Sequence, residues 1–449
     1  VSHALVADAV PQSVLGNSLW VAIIASLHIQ IATFLTGAST LTVVSEGIAM
    51  LREGHDQRHG RLAHGLLRSM AYTFSFDAAI PIFWVLFVFL GLWGTFFIAL
   101  TRITFWVFIF EAGLFLAEVI LLYTLYANWD RLTAYRRARL GLLVLLNLVL
   151  FWQMFFIDVV ASYMLTPNGG DRSQLAQILN PTDIPLDVHR LIGNIAWAGA
   201  VTAAFAAVRY LRALRRAPED APFYDWVVQW GVLFAIGFTI LQPWVGYSYA
   251  KEVQLHAYGA WYTMMFGELS NVFLLQITLL GLIFILATLY LLRRLRASGA
   301  SGVRSLRIAL GLEIVATLLA AMPSRFAWTQ GDVTARHLDR PFWQGGLENP
   351  VGTMIPNKII ALLALMAASL WALTVYLKAL SRDQLRWGDA TRRSARGVIA
   401  LAVVVSMMMA TMGVIREHSR HPYLIYGEMT IEGQHVVDHA QPSPGATQR

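Results

Sequence analysis

Histidine and carboxylate side chains stand where hydrocarbon would surround them: His28, Glu46, Asp77, Glu111, Glu118, Asp158, His189, Glu313 and Glu417 all fall within or at the ends of apolar runs. Placing one charge at the centre of a bilayer costs roughly 2.5–3.5 kcal/mol on insertion scales, so such residues usually face a pathway, a partner or a cofactor. Cysteine is absent, which excludes disulfides, thiolate zinc, covalently attached c-type heme and cysteine-ligated iron–sulfur clusters. Any metal must be held by His, Met or carboxylate.

Glu111 and Glu118 lie about two helical turns apart and project from one face, a pattern that suits proton relay or ligation of a metal or heme. Each residue also has a plainer reading. A single histidine near a helix end commonly makes an interfacial hydrogen bond, the two glutamates could each pair with an arginine or hydroxyl, and Glu417 lies beside Arg416 and Arg420 in what could be a surface ion-pair cluster.

The elements that carry these residues are membrane spans. The chain has 449 residues, is 57% hydrophobic and only 14% charged, and divides into about ten apolar segments of bilayer length. They fall near 18–51, 66–97, 101–126, 139–165, 187–211, 224–247, 269–292, 303–323, 357–379 and 396–415. The expected fold is an all-α polytopic transmembrane bundle. Most of the Lys and Arg sits in the connections after spans one, three, five, seven and nine, which the positive-inside rule puts in the cytoplasm, with both termini outside. The net charge of +7 is therefore a topology signal rather than a nucleic-acid signature. No charged n-region precedes the first apolar run, so a cleaved signal peptide is not expected in this numbering.

On this topology His28, His189 and Glu417 share the outer half of the membrane. The outside connections 166–186, 248–268 and 324–356 read as long, irregular and functional, and 433–449 as a flexible tail.

Several stretches, in order, resemble the large heme-bearing subunit of cytochrome bd-type terminal oxidases. LHIQIATFLTG resembles the family's first span, with a histidine and a following glycine, here His28 and Gly37. FIFEAGLFLAEVILLYTLYANWDRL resembles the span whose second glutamate precedes a Trp-Asp pair, here Glu118 and Trp129-Asp130. SYMLTPNG resembles an aromatic-Met-x-x-Pro-x-Gly turn, VHRLIGNIAWAG the helix bearing a heme-ligating histidine, and EHSRHPYLIYG the family's Glu-x-Gly-Arg-Gln-Pro-Trp-x-x-Tyr-Gly signature.

The resemblance implies roles. His28 would be the axial ligand of the oxygen-reducing heme d, His189 the ligand of the low-spin heme b, Glu417 the ligand of the high-spin heme b, and Arg420 the residue that stabilises its surroundings. Glu118 and Glu111 would carry cytoplasmic protons to the oxygen site. One or two b-type hemes, with or without a d-type heme, are the implied cofactors. The implied partners are a second bd-type subunit or small single-span subunits, in a multi-pass protein of a bacterial or archaeal cytoplasmic membrane.

Departures qualify the resemblance. Tyr247 replaces an aspartate, and Ala260 and Met265 occupy the places of the quinol-contacting Lys and Glu, so the usual quinol site is missing. Ile360 stands where the family's second ligand to the low-spin heme, a methionine, would fall, leaving Met354 as its substitute; Glu111 is displaced by one position, and Ser419 and Tyr423 replace the signature Gly and Trp. The expected organisation is a six-span heme-bearing portion, 1–247, two additional spans with outer loops, 248–356, a two-span portion with the Glu-x-x-Arg-x-Pro signature, 357–432, and the tail.

Three function classes follow. The first is a bd-like heme protein passing electrons in a respiratory complex, able to reduce oxygen, with a donor other than quinol such as a cytochrome c. The second is a heme-poor anchor or electron conduit of a larger redox complex. The third is a proton-coupled transporter built on Glu111, Glu118, Asp77 and Asp158, which would call for pseudo-symmetric halves that the sequence does not display.

Overall fold

The computed structural model describes residues 17–52, 57–79, 94–167, 179–265, 267–321 and 357–430, with the single positions 82, 91 and 176. In chain order the helices are α1 (Asn17–Leu51), α2 (Arg58–Ala79), α3 (Gly94–Ile103), α4 (Phe105–Ala127), α5 (Arg136–Leu165), α6 (Asp183–Arg216), α7 (Ala221–Thr239), α8 (Gln242–His256), α9 (Tyr258–Met265), α10 (Ser270–Ser298), α11 (Val303–Ala321), α12 (Asn357–Ser381) and α13 (Arg392–His418). A small antiparallel hairpin, β1 (Tyr423–Ile425) and β2 (Met429–Thr430), follows α13.

The fold is a polytopic helical bundle. Among the described residues, eight helical segments are long and apolar enough to cross a bilayer. The remaining two expected spans coincide with α2, which carries Arg68 and Asp77 within its apolar run, and α11, which carries Arg304, Arg307 and Glu313; the second half of the expected span 66–97 lies mostly outside the described residues. Met354 and the whole loop 324–356 also lie outside them, as does the tail.

Helices in lipid gain little from hydrophobic segregation and associate through close backbone approach at small residues. A Cβ at Gly199 of α6 would lie 2.8 Å from the Gly231 carbonyl of α7, and one at Gly231 would lie 2.6 Å from the Gly199 carbonyl. Only glycine at both positions allows this crossing. Gly37 of α1 meets α6 equally closely, at the Asn194 carbonyl.

The arginine-rich connections gather at one end of the bundle. Arg61 of α2 pairs with Asp220 in the connection before α7 at 2.8 Å, and His64 stacks on Trp129 after α4 at 4.8 Å between ring centroids. Arg139 of α5 donates from Nε to Glu46 of α1 at 2.9 Å. Asp225 of α7 accepts from Arg294 of α10 at 2.6 Å and from the Gly388 amide at 2.7 Å, and Ser301 donates to Gln384 at 2.9 Å. The five connections expected on one side of the membrane are thus tied to one another or to neighbouring helix ends.

The other connections meet at the opposite end. The hairpin docks there on α5, where the Tyr426 amide donates to the Met164 carbonyl at 3.0 Å and the Tyr163 hydroxyl donates to Glu428 at 3.1 Å. Leu424, Ile425 and Met429 pack with Val159, Val160 and Tyr163.

Residues 248–268, expected as an irregular loop, are largely helical. The chain stops at Thr239, and Pro243, in the first turn of α8, restarts it with a ring preset for helix and no amide to satisfy. Val253, Ala257, Ala260 and Trp261 then recur at helical spacing and form a small buried cluster with Leu165 and Leu274. Aromatic content hid this period. The span expected from 187 likewise starts earlier, at Asp183.

Candidate functional site

The sequence-derived residues distribute over α1, α4, α6 and the end of α13. His28 of α1 donates from Nδ1 to the buried carboxylate of Asp77 on α2 at 3.2 Å. Two residues further along α1, Gln30 binds α6 and α13: its carbonyl accepts from Trp197 Nε1 at 2.9 Å, and its Oε1 accepts from Ser406 at 2.5 Å. These contacts fix the depth at which His28 sits.

Glu118 and Glu111 lie on α4 as their spacing requires. Glu118 is buried, faces Gln153 of α5, and lies within electrostatic reach of Asp77. Glu111 lies within reach of Glu118, Asp158 and Arg190. Glu118 Oε1 and Glu111 Oε2 are both buried without a hydrogen-bond partner among the described residues. An apolar pair of this shape would be cheaper to fold, since a buried polar atom left unpaired costs about 1–3 kcal/mol. Such atoms therefore point to a proton, water or cofactor.

His189 sits at the start of α6. Its ring runs nearly parallel to Tyr249 of α8 at 6.3 Å, and Nδ1 is buried with no hydrogen-bond partner among the described residues. Gly246 of α8 packs against this side of the ring, where a Cβ at that position would lie 3.4 Å from Cε1 and 3.5 Å from Nδ1, in van der Waals contact. A neutral imidazole nitrogen with nothing to bond is the donor a heme iron requires.

At the end of α13, Glu417 forms an ion pair with Arg420, whose other amino group donates to the Leu424 carbonyl at 2.9 Å. Arg420 is 4% exposed and Glu417 is 54% exposed, so the arginine belongs to the core and the carboxylate lies open.

The structure adds residues that sequence reasoning passed over. Arg190 pairs with Asp158 of α5, and Asp183 and Asp187 of α6 are buried close to Asp158. Arg416, which the sequence placed beside Glu417, also lies near Asp158 and Tyr249. Asp183 escaped notice because it falls in the stretch assigned to a loop, and Asp187 because it stands at the expected start of the span; helical spacing from His189 back through Asp183 was the available signal. No group of three or more His, Cys, Asp and Glu side chains among the described residues is arranged to hold a bare metal ion.

The comparison with known families decides the identity. Residues 18–258, more than half of the chain, match the family described as cytochrome bd terminal oxidase subunit I. The chain belongs to that family. A solved structure, that of bd oxidase from Geobacillus thermodenitrificans, shares the fold, with a TM-score of 0.50 at 15% identity over 90% of this chain and 98% of that one. No curated protein matches the sequence. A cytochrome bd subunit I is a membrane respiratory oxidoreductase that carries heme, and the donor set described above fits that group. The matched segment contains His28, Asp77, Glu111, Glu118 and His189, while Glu417 and Arg420 lie beyond it and rest on their local signature.

Proposed function

We propose that the chain is a divergent cytochrome bd-type subunit that passes electrons through hemes held by His28, His189 and Glu417 and reduces oxygen with electrons from a donor other than quinol. Bound heme would supply the one-electron chemistry and the reduction of oxygen. The observation that carries this reading is the buried Nδ1 of His189, which has no hydrogen-bond partner among the described residues.

The chain's own residues would divide the remaining work. His28 would hold one heme, of b or d type, and Glu417 another, with Arg420 offsetting the negative charge of the carboxylate and the heme at that end. Glu118 and Glu111 hold protons on the inner face of α4 and move them from the arginine-rich end, which the positive-inside rule places in the cytoplasm. Met354 would be the second protein ligand of the heme that His189 would hold.

Electrons would arrive at the opposite end, where α8, α9 and the hairpin present Trp and Tyr. A periplasmic redox protein such as a cytochrome c is the proposed donor, and a second bd-type subunit or single-span subunits are the proposed partners, in a bacterial or archaeal cytoplasmic membrane. The heme-poor conduit draws support from Ile360, an apolar residue at the place of the family's methionine ligand. Reduced-minus-oxidised absorption spectra with heme extraction test both readings. Two or more hemes per chain support the oxidase, a single heme supports the conduit, and none removes both.

A further inference from the structure

Asp77 has no evident structural reason to be where it is. It is 2% exposed, on a helix face that otherwise packs Met70, Ala71 and Phe74 into the core, and its one hydrogen-bonded partner among the described residues is the His28 ring. Both carboxylate oxygens stand 3.2 Å from Nδ1. A carboxylate can only accept, so Nδ1 carries the proton, and Nε2 is left as the ring nitrogen with a free lone pair. Among the described residues no hydrogen bond engages Nε2.

From this geometry we infer that Asp77 is a positioning residue that fixes the tautomer of His28 and strengthens it as an iron ligand. The inference rests on the proposed heme at His28 and goes beyond it. Metal-ligating histidines commonly donate their second ring N–H to a carboxylate, which orients the ring and raises its basicity, and loss of such a partner changes metal affinity about 10–100-fold. A more basic, partly anionic imidazole favours ferric over ferrous iron. Asp77 therefore lowers the reduction potential of the heme that His28 holds.

The arrangement also connects two functions. Asp77 lies within electrostatic reach of Glu118, the buried carboxyl of α4, so the group that sets the ligand strength of His28 also senses the charge of the proposed proton carrier. Protonation of Glu118 and the electron affinity of the iron are then linked through a single side chain.

The test uses the full chain purified with its hemes, as wild type, Asp77→Asn, Asp77→Glu and His28→Ala, with heme content by extraction and the potential of each heme by spectroelectrochemical titration. The His28→Ala spectrum identifies which heme is concerned. In Asp77→Asn that heme is retained and its ferric preference falls about tenfold, which for a one-electron couple is an upward shift of about 59 mV. Asp77→Glu, which keeps the charge, returns the potential toward the wild-type value. A wild type without heme overturns the heme reading and this inference together. Heme retained in Asp77→Asn at an unchanged potential overturns the inference alone, as does a heme-bearing Asp77→Glu that shifts as far as Asp77→Asn.

Discussion

Gly246 and His189 face each other across the contact between α8 and α6, with the position a Cβ would take at Gly246 only 3.4 Å from the imidazole Cε1. The glycine packs against the ring with room for a Cβ and little more. Gly246→Val, whose branched side chain crowds this contact, should displace the His189 ring and strip the heme from it while the remaining hemes persist. Difference spectra that lose the same component in Gly246→Val and in His189→Ala would bear this out; an unaltered spectrum in Gly246→Val would show that this contact does not hold the ring in place.

The two glutamates of α4 differ in their surroundings, and the difference predicts unequal effects. Glu118 is fully enclosed between Gln153 and Asp77, whereas Glu111 has Asp158 and Arg190 beside it to share its role. Glu118→Gln removes the only proton-holding group at its depth on α4. Positioned proton transfer contributes roughly 10²–10⁴-fold to a rate, so reoxidation of the reduced protein by oxygen should slow by about 100-fold in Glu118→Gln and by less in Glu111→Gln. Stopped-flow spectroscopy at matched heme content measures both; equal rates in all three proteins would remove the relay.

Spans and the paired glutamates were legible in the sequence because hydropathy and helical spacing are local properties. Even the alternation of arginine-rich connections anticipated which loops would meet, as the contacts of Arg61 with Asp220 and of Asp225 with Gly388 demonstrate. What stayed hidden is pairwise and distant in the chain. Asp77 reads as one more intramembrane acid until α2 folds against α1 and brings it to His28. Arg190, adjacent to a proposed ligand, reads as a helix-end charge until Asp158 of α5 arrives beneath it. The helical content of 248–268 was obscured differently, since Trp, Tyr and Gly signal loops by composition while the burial of Val253, Ala257, Ala260 and Trp261 obeys a helical period.

Arg420 joins three things: the end of α13 through Glu417, the hairpin through the Leu424 carbonyl, and a core position that leaves it 4% exposed. Lysine has the charge but lacks the planar fork that serves two acceptors at once. Arg420→Lys should therefore behave much like Arg420→Ala, releasing the hairpin from α5. Limited proteolysis from the extramembrane side would cut within 421–430 in both variants and spare the wild type. Protection of the lysine variant would show that charge alone holds this end.

At the far end of the bundle, Arg294 is buried against Asp225 at 2.6 Å, with the Trp387 ring 4.8 Å from its guanidinium carbon and the Arg386 carbonyl accepting its second amino group. The same aspartate accepts the Gly388 amide, so one ion pair fastens the connection 382–391 to both α7 and α10. Removing one partner strands the other as a buried charge, which costs about 3–5 kcal/mol. Arg294→Met alone should lower the thermal transition in detergent sharply, as should Asp225→Asn alone. The double variant should lose much less than the sum, because neither charge is left uncompensated. Heme content should survive in all three, since the pair stands at the end opposite His189 and Glu417. Additive losses would instead show that each residue acts through its own contacts, Arg294 through Trp387 and Asp225 through Gly388.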